Sequence, residues 1–88
     1  MIVKKVILNN EVGLHARPAA VFVQTANKFV SDIYIESGGT RADGKSIMGV
    51  MSLGAFHGEE IILMAKGEDA KEAIEELAEL IERGLKNV

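Results

Sequence analysis

Gly13-Leu14-His15-Ala16-Arg17-Pro18-Ala19-Ala20-Val21-Phe22-Val23-Gln24-Thr25-Ala26 is the stretch on which the fold turns. Before it, Ile2-Val3-Lys4-Lys5-Val6-Ile7-Leu8 is rich in β-branched residues and closes on the turn-prone Asn9-Asn10, which reads as a strand. After Gly13 the period changes. Ala19, Phe22, Val23 and Ala26 recur at i, i+3, i+4 and i+7, the apolar stripe of a helix running from Ala16 to Lys28. Pro18 suits its first turn, where a missing N–H removes no hydrogen bond.

Further along, Asp32-Ile33-Tyr34-Ile35-Glu36 alternates with period two, and Ser37-Gly38-Gly39-Thr40 supplies a turn into a short polar strand ending at Asp43. Lys45 to Leu53 is too apolar for a loop but is punctured by Gly49 and flanked by Gly44 and Gly54, so a helix of one or two turns capped by Ser46 fits it. Glu60 to Lys66 is nearly continuously apolar and stops at Gly67, the pattern of a central strand. In the last segment Asp69 and Glu72 resemble a capping box, Ala70, Ile74, Leu77 and Ile81 form a buried stripe, and Arg83-Gly84 stops the helix. The Lys71/Glu75 and Glu79/Arg83 pairs read as an ordinary solvated face. The order β-α-β-β-α-β-α with short links predicts a single α+β domain over residues 1–88, its helices on one face of a largely antiparallel sheet.

Composition narrows the function. Forty-eight per cent of the residues are apolar, yet only three Phe, one Tyr and no Trp are present, so the core is built from aliphatic side chains and Met. The absence of Cys removes disulfide and thiolate chemistry and suits a cytoplasmic home. No apolar run approaches the roughly 18 residues of a membrane span. A net charge of −3, with no basic cluster interleaved with aromatics, speaks against direct nucleic-acid binding.

Chemistry concentrates at the start of the first helix. With His15 as N-cap, the free N–H groups of Ala16 and Arg17 lie beside the imidazole, a helix start attracts anions, and Arg17 adds a planar fork for phosphate oxygens. A neutral imidazole with one free lone pair is a nucleophile. A lone Gly-x-His also reads as a mediocre N-cap beside a surface cation. With His57 the only other histidine and no acidic partner nearby in sequence, a metal site or a Ser-His-Asp triad is disfavoured relative to phosphate chemistry, and no cofactor is implied. Opposite the buried stripe, Ala20, Val21, Gln24 and Asn27 form a face poor in charge, and Ile47, Met48, Met51 and Leu53 exceed what a two-turn helix buries easily. Together they predict a docking surface, although either Met alone is as well explained as core filler.

Gly13-Leu14-His15-Ala16-Arg17-Pro18-Ala19 and Lys45-Ser46-Ile47-Met48-Gly49-Val50-Met51-Ser52-Leu53 together resemble the HPr family, the histidine-containing phosphocarriers of the bacterial phosphoenolpyruvate-dependent sugar phosphotransferase system. The resemblance covers essentially the whole chain. It implies an open-faced β-sandwich, a four-stranded antiparallel sheet covered on one face by three helices. It also implies that His15 is phosphorylated on Nδ1 by enzyme I and hands the group to IIA components of sugar transporters, with Arg17 balancing the charge. Ser46 is, by the same resemblance, the site of an ATP-dependent HPr kinase/phosphorylase, and the serine-phosphorylated form is recognised by a CcpA-type catabolite repressor. Phe22-Val23-Gln24-Thr25-Ala26-Asn27 with Ser31-Asp32 is similar to the catabolite-repression homologue within the family, which acts through its serine alone and carries Gln where this chain has His15. One departure from many family members is Asp43, a carboxylate three residues before Ser46 where a neutral residue is common.

Overall fold

The computed structural model describes residues 1–86, and its elements follow the order read from the sequence: β1 (Ile2–Ile7), α1 (Ala16–Ala26), β2 (Asp32–Ser37), β3 (Thr40–Asp43), α2 (Ile47–Ser52), β4 (Glu60–Lys66) and α3 (Ala70–Glu82). The four strands pair antiparallel in the order β1-β4-β2-β3, and three helices cover one face, an open-faced sandwich.

Strand alternation decides what each face carries. On the helix side, Val6 opposes Ile61, and Ile33 and Ile35 oppose Ala65 and Leu63; all six are buried. On the open side, Val3, Met64 and Tyr34 stand in register across three strands. Met64 is only 4% exposed there, so the middle of β4 is buried on both faces, where its nearly unbroken apolar run predicts burial on at least one. β1 lies at the sheet edge, and of its apolar residues only Val6 is buried while Ile2, Val3 and Ile7 remain exposed. Lys4 shares the helix-side parity of Val6 but is exposed.

Between sheet and helices sits an aliphatic core around Phe22, with Leu8, Val50, Leu77 and Ile81 fully buried. Two details of α1 differ from the sequence expectation. Its regular part ends at Ala26, because Asn27 caps it and the N–H groups of Lys28 and Phe29 bond in the tighter i→i−3 pattern to Thr25 and Ala26. Its buried stripe is also rotated, so that Val21 is buried and Val23 only half-buried. α1 packs on α3 as well as α2, which covers a side that a helix lying on a sheet alone would leave in solvent.

The expected capping box at α3 does not form. Asp69 is the N-cap, but its carboxylate makes no bond to its own helix and instead accepts from the N–H groups of Val30 (2.9 Å) and Ser31 (3.0 Å) and from Ser31 Oγ (2.5 Å). A long-range clamp thus replaces a local cap, fixing the start of α3 to the α1–β2 connection around the buried Ser31. Gly67 makes this approach possible. At φ +148 its position is open to glycine, and a Cβ there would overlap Ser31 Oγ and lie 2.7 Å from Ser31 Cα. Nearby, Lys28 Nζ meets Glu76 at 2.5 Å, an exposed pair that contributes less than about 1 kcal/mol. Of the two charge pairs expected along α3, Glu79–Arg83 closes, at 3.6 Å.

α3 ends as Arg83-Gly84 predicts, in a Schellman turn: Leu85 N–H bonds Leu80 O at 2.9 Å and Gly84 N–H bonds Ile81 O at 3.0 Å, with Gly84 at φ +79. The turn drives Leu85 into the core.

The hydrogen bond from Ser31 Oγ, followed by that from the Val30 N–H, holds the Asp69 carboxyl below the ordinary carboxylate range against the opposing pull of desolvation. The stabilisation from a lowered folded-state value is present above the ordinary range near about pH 4 and is lost as pH falls through the folded-state value. Asp69→Asn is therefore expected to lower the urea unfolding midpoint at about pH 7, and its deficit against wild type is expected to shrink when unfolding is repeated at about pH 3. Gly67→Ala is expected to destabilise by more than about 1 kcal/mol in the same measurement, from positive φ and overlap together.

Candidate functional site

The loop that carries His15 is fixed by a neighbouring loop as well as by its own contacts. Leu14 N–H bonds Ala55 O at 3.0 Å and Gly58 N–H bonds Leu8 O at 2.7 Å, stitching residues 8–14 to residues 55–58. Asn10 closes the turn from within, its Nδ2 donating to Gly13 O at 2.6 Å, while its backbone oxygen lies 3.3 Å from both Gly13 N and His57 Nδ1. Gly13 has φ +67, and a Cβ on it would overlap Ala55 O and approach Phe56 Cα at 3.1 Å. The first glycine of the motif is thus required by loop-to-loop contact.

His15 is the N-cap of α1, with φ −85 and ψ −176, and its side chain makes no capping bond. Its carbonyl accepts from Ala19 N–H at 2.8 Å, which starts the helix, whereas the N–H groups of Ala16 and Arg17 meet no acceptor among the described residues. Imidazole and guanidinium are both exposed. The site therefore presents a free ring, two free donors and a cation at a helix N-terminus, an arrangement able to receive an anion without first breaking a bond.

His15 and Arg17 line an open groove of about 1360 Å³ between the start of α1 and the end of α3, together with Ala20, Val21 and Gln24. Of these, Gln24 is exposed and Ala20 half-buried; Val21, expected on the outward docking face, is 9% exposed and forms the floor rather than a surface for a partner. Arg83 and Lys86 line the same groove, as do Glu11 and Glu82. Sequence reading missed all four because only the fold brings the end of α3 to the loop after β1, where Asn9 Nδ2 donates to Glu82 O across 73 residues of chain at 2.8 Å. The one local signal was the cation following a helix that ends in glycine.

Ser46 lies elsewhere. It caps α2, its Oγ accepting from Gly49 N–H at 3.1 Å. Asn27, at the C-terminal end of α1, donates to Lys45 O at 3.3 Å, so the two candidate phosphorylation sites sit at opposite ends of one helix about 16 Å long. Asn27 is thus a tether between helices as well as an exposed residue of the outer face. Ile47, Met48 and Met51 are exposed, Met48 the most at 75%, and Leu53 is packed against the core. Val12 and Phe56, at 65% and 71% exposed, extend the apolar surface beside the His15 loop; single apolar residues in loops carried no pattern to reveal them. No cluster of three or more His, Cys, Asp or Glu residues suited to a metal occurs among the described residues, and no helix there is long and apolar enough to cross a membrane.

A family model described as the HPr component phosphorylation site matches residues 2–83, and the chain belongs to the HPr family. It is 49% identical to the HPr-like protein Crh of Bacillus subtilis over 93% of this chain and 96% of that one, and 48% identical to Crh of Halalkalibacterium halodurans over 94% and 99%. Among solved structures, HPr-C-His from Thermoanaerobacter tengcongensis superposes with a TM-score of 0.93 at 46% identity, each chain covered in full. The family's members are phosphocarriers and not enzymes in their own right, and membership implies phosphotransferase-system partners.

Removing the α2 cap tests the local geometry at Ser46. Ser46→Ala is expected to lower stability to urea by about 0.5–2 kcal/mol, with the secondary structure by circular dichroism otherwise kept.

Proposed function

We propose that this single-domain chain is a cytoplasmic phosphocarrier that accepts a phosphoryl group on His15 from enzyme I and passes it to IIA components of sugar transporters, and that its output is modulated by phosphorylation of Ser46. The observation that carries the first half is the exposed imidazole of His15 beside the N–H groups of Ala16 and Arg17, which have no acceptor among the described residues. In the transfer, the bond between phosphorus and enzyme I breaks as a P–N bond forms on the ring, and the charge that develops faces the helix start and the Arg17 fork. An open groove suits a carrier that must release what it receives, because the partners contribute the rest of each transfer site. The exposed Ile47, Met48 and Met51, with Ala20, Gln24 and Asn27, are the proposed docking surface.

In the second half, an HPr kinase/phosphorylase moves the γ-phosphoryl of ATP to Ser46 Oγ, releasing ADP and the hydroxyl proton. This places about −1.5 to −2 charges beside Ile47 and Met48. The expected consequences are slower phosphorylation by enzyme I and recognition by a CcpA-type repressor.

A second reading has its own support. The chain is similar to two HPr-like proteins named Crh, and a solved structure of Crh at 49% identity is described as the Bacillus subtilis catabolite repression HPr, which favours a chain that acts mainly through Ser46. On that reading His15 is not charged by enzyme I.

Incubation with phosphoenolpyruvate and enzyme I separates the two. The carrier reading expects an acid-labile phosphate by mass spectrometry that is absent from His15→Ala; no such phosphate on wild type leaves only the regulatory reading. Ser46→Asp is expected to slow that phosphorylation at least tenfold through the added charge, and equal rates would sink the inhibitory role of Ser46. An ATP-dependent, acid-stable phosphate lost in Ser46→Ala tests the regulatory half separately.

A further inference from the structure

Ser46 sits in a turn whose charges are already committed. Asp43 closes β3, its Oδ1 accepts the Lys45 N–H at 2.9 Å, and its backbone oxygen accepts the Ser46 N–H at 3.1 Å. The carboxylate is therefore folded back over the turn that presents Ser46 instead of swinging freely in water. Ser46 Oγ is fixed as well by the Gly49 N–H. A Cβ added at Gly49 would stand 3.3 Å from Ser46 Oγ and 3.5 Å from Asp43 O, so the hydroxyl and the Asp43 backbone converge on one point of α2.

The adjacent cation points elsewhere. Lys45 Nζ donates to Phe29 O at 2.6 Å in a partly buried contact just past the end of α1, where a positive charge is favoured by the helix dipole. Its N–H is held by Asp43 and its C=O by Asn27, so every polar group of Lys45 has a partner. Arg41, the next cation in sequence, lies over the Tyr34 ring and pairs with Glu36 at 3.8 Å. The charge that remains in the Ser46 turn, in no ion pair among the described residues, is the Asp43 carboxylate.

We propose that Asp43 is a specificity-determining residue for the modification of Ser46: it makes a phosphate there electrostatically unfavourable, and Lys45 is positioned so that it does not offset the repulsion. This rests on the reading of Ser46 as a phosphorylation site and adds how that site is tuned. Phosphoserine at 46 is then held in the monoanionic form to higher pH, and the modified state is more sensitive to ionic strength than one beside a neutral residue.

The test uses the full chain with phosphoserine encoded at position 46, which requires no kinase, and follows the phosphate's second ionisation, near about pH 6, by phosphorus NMR. Asp43→Asn keeps an oxygen acceptor for the Lys45 N–H and removes the charge. It is expected to lower the phosphate pKa by about 0.3–0.5 unit at low ionic strength, a shift that fades in about 0.5 M salt. Lys45→Met, which removes the ammonium but not the backbone bonds, is expected to move the pKa by less than Asp43→Asn does. An unchanged phosphate pKa in Asp43→Asn overturns the proposal, as does a rise in Lys45→Met larger than the fall in Asp43→Asn, since that places the ammonium on the phosphate. Phosphorylation of the unmodified chain by an ATP-dependent HPr kinase is scored apart: its failure counts against the Ser46 reading, while the titration alone decides on Asp43.

Discussion

Two backbone ladders converge on β4, with β1 along one edge and β2 along the other, and most of what matters in this protein follows from that convergence. Pairing β1 with β4 antiparallel brings the chain leaving β1 beside the chain entering β4, so residues 8–14 and 55–58 meet and hydrogen-bond. His15 inherits its position from this meeting. Without it, Gly13 would have no reason to adopt φ +67, and the N-cap of α1 would be one flexible loop residue among others. The ladder energies are individually small, about 0.5–1.5 kcal/mol net per hydrogen bond, but they act together in a sheet whose helix side is closed by aliphatic packing.

The proposed chemistry asks little of this scaffold beyond placement. A phosphoryl acceptor in transit between proteins needs a nucleophile in reach of both partners, and a helix start whose donors are unpaired while they wait. Burial would strengthen each hydrogen bond to the phosphate and at the same time shut out the protein that must take it. The open groove resolves this conflict, with Val21 as its packed floor, Leu85 buried in its lining, and His15 and Arg17 standing exposed.

Local patterns were legible in the sequence and long-range ones were not. The change of period at Gly13 located α1, Ser46 announced the cap of α2, and Arg83-Gly84 announced the end of α3, because each is decided within a few residues. Asp69 shows the limit. Its spacing from Glu72 matched a local cap, but the N–H groups of Val30 and Ser31 offered its carboxylate better partners 39 and 38 residues away, and tertiary contact won. Val21 was misplaced for a related reason. A helical wheel separates one buried side from the rest, whereas α1 packs against both α2 and α3. At the site, His15 and Arg17 were visible as a motif, but the residues that complete the groove from the end of α3 were not, since only the fold makes them neighbours.

The exposed edge of β1 has a consequence for the company this molecule keeps. Ile2, Val3 and Ile7 give it an apolar strand with one row of backbone groups unpaired, the geometry that templates sheet growth between molecules. Lys4, turned to the helix side yet left in solvent, and Lys5, 3.6 Å from Glu60, place two ammonium groups in the middle of that edge. A second copy docking in register would bury or oppose those charges. These two lysines line neither the groove nor the turn at Ser46, so the charge that opposes pairing along this edge is independent of both.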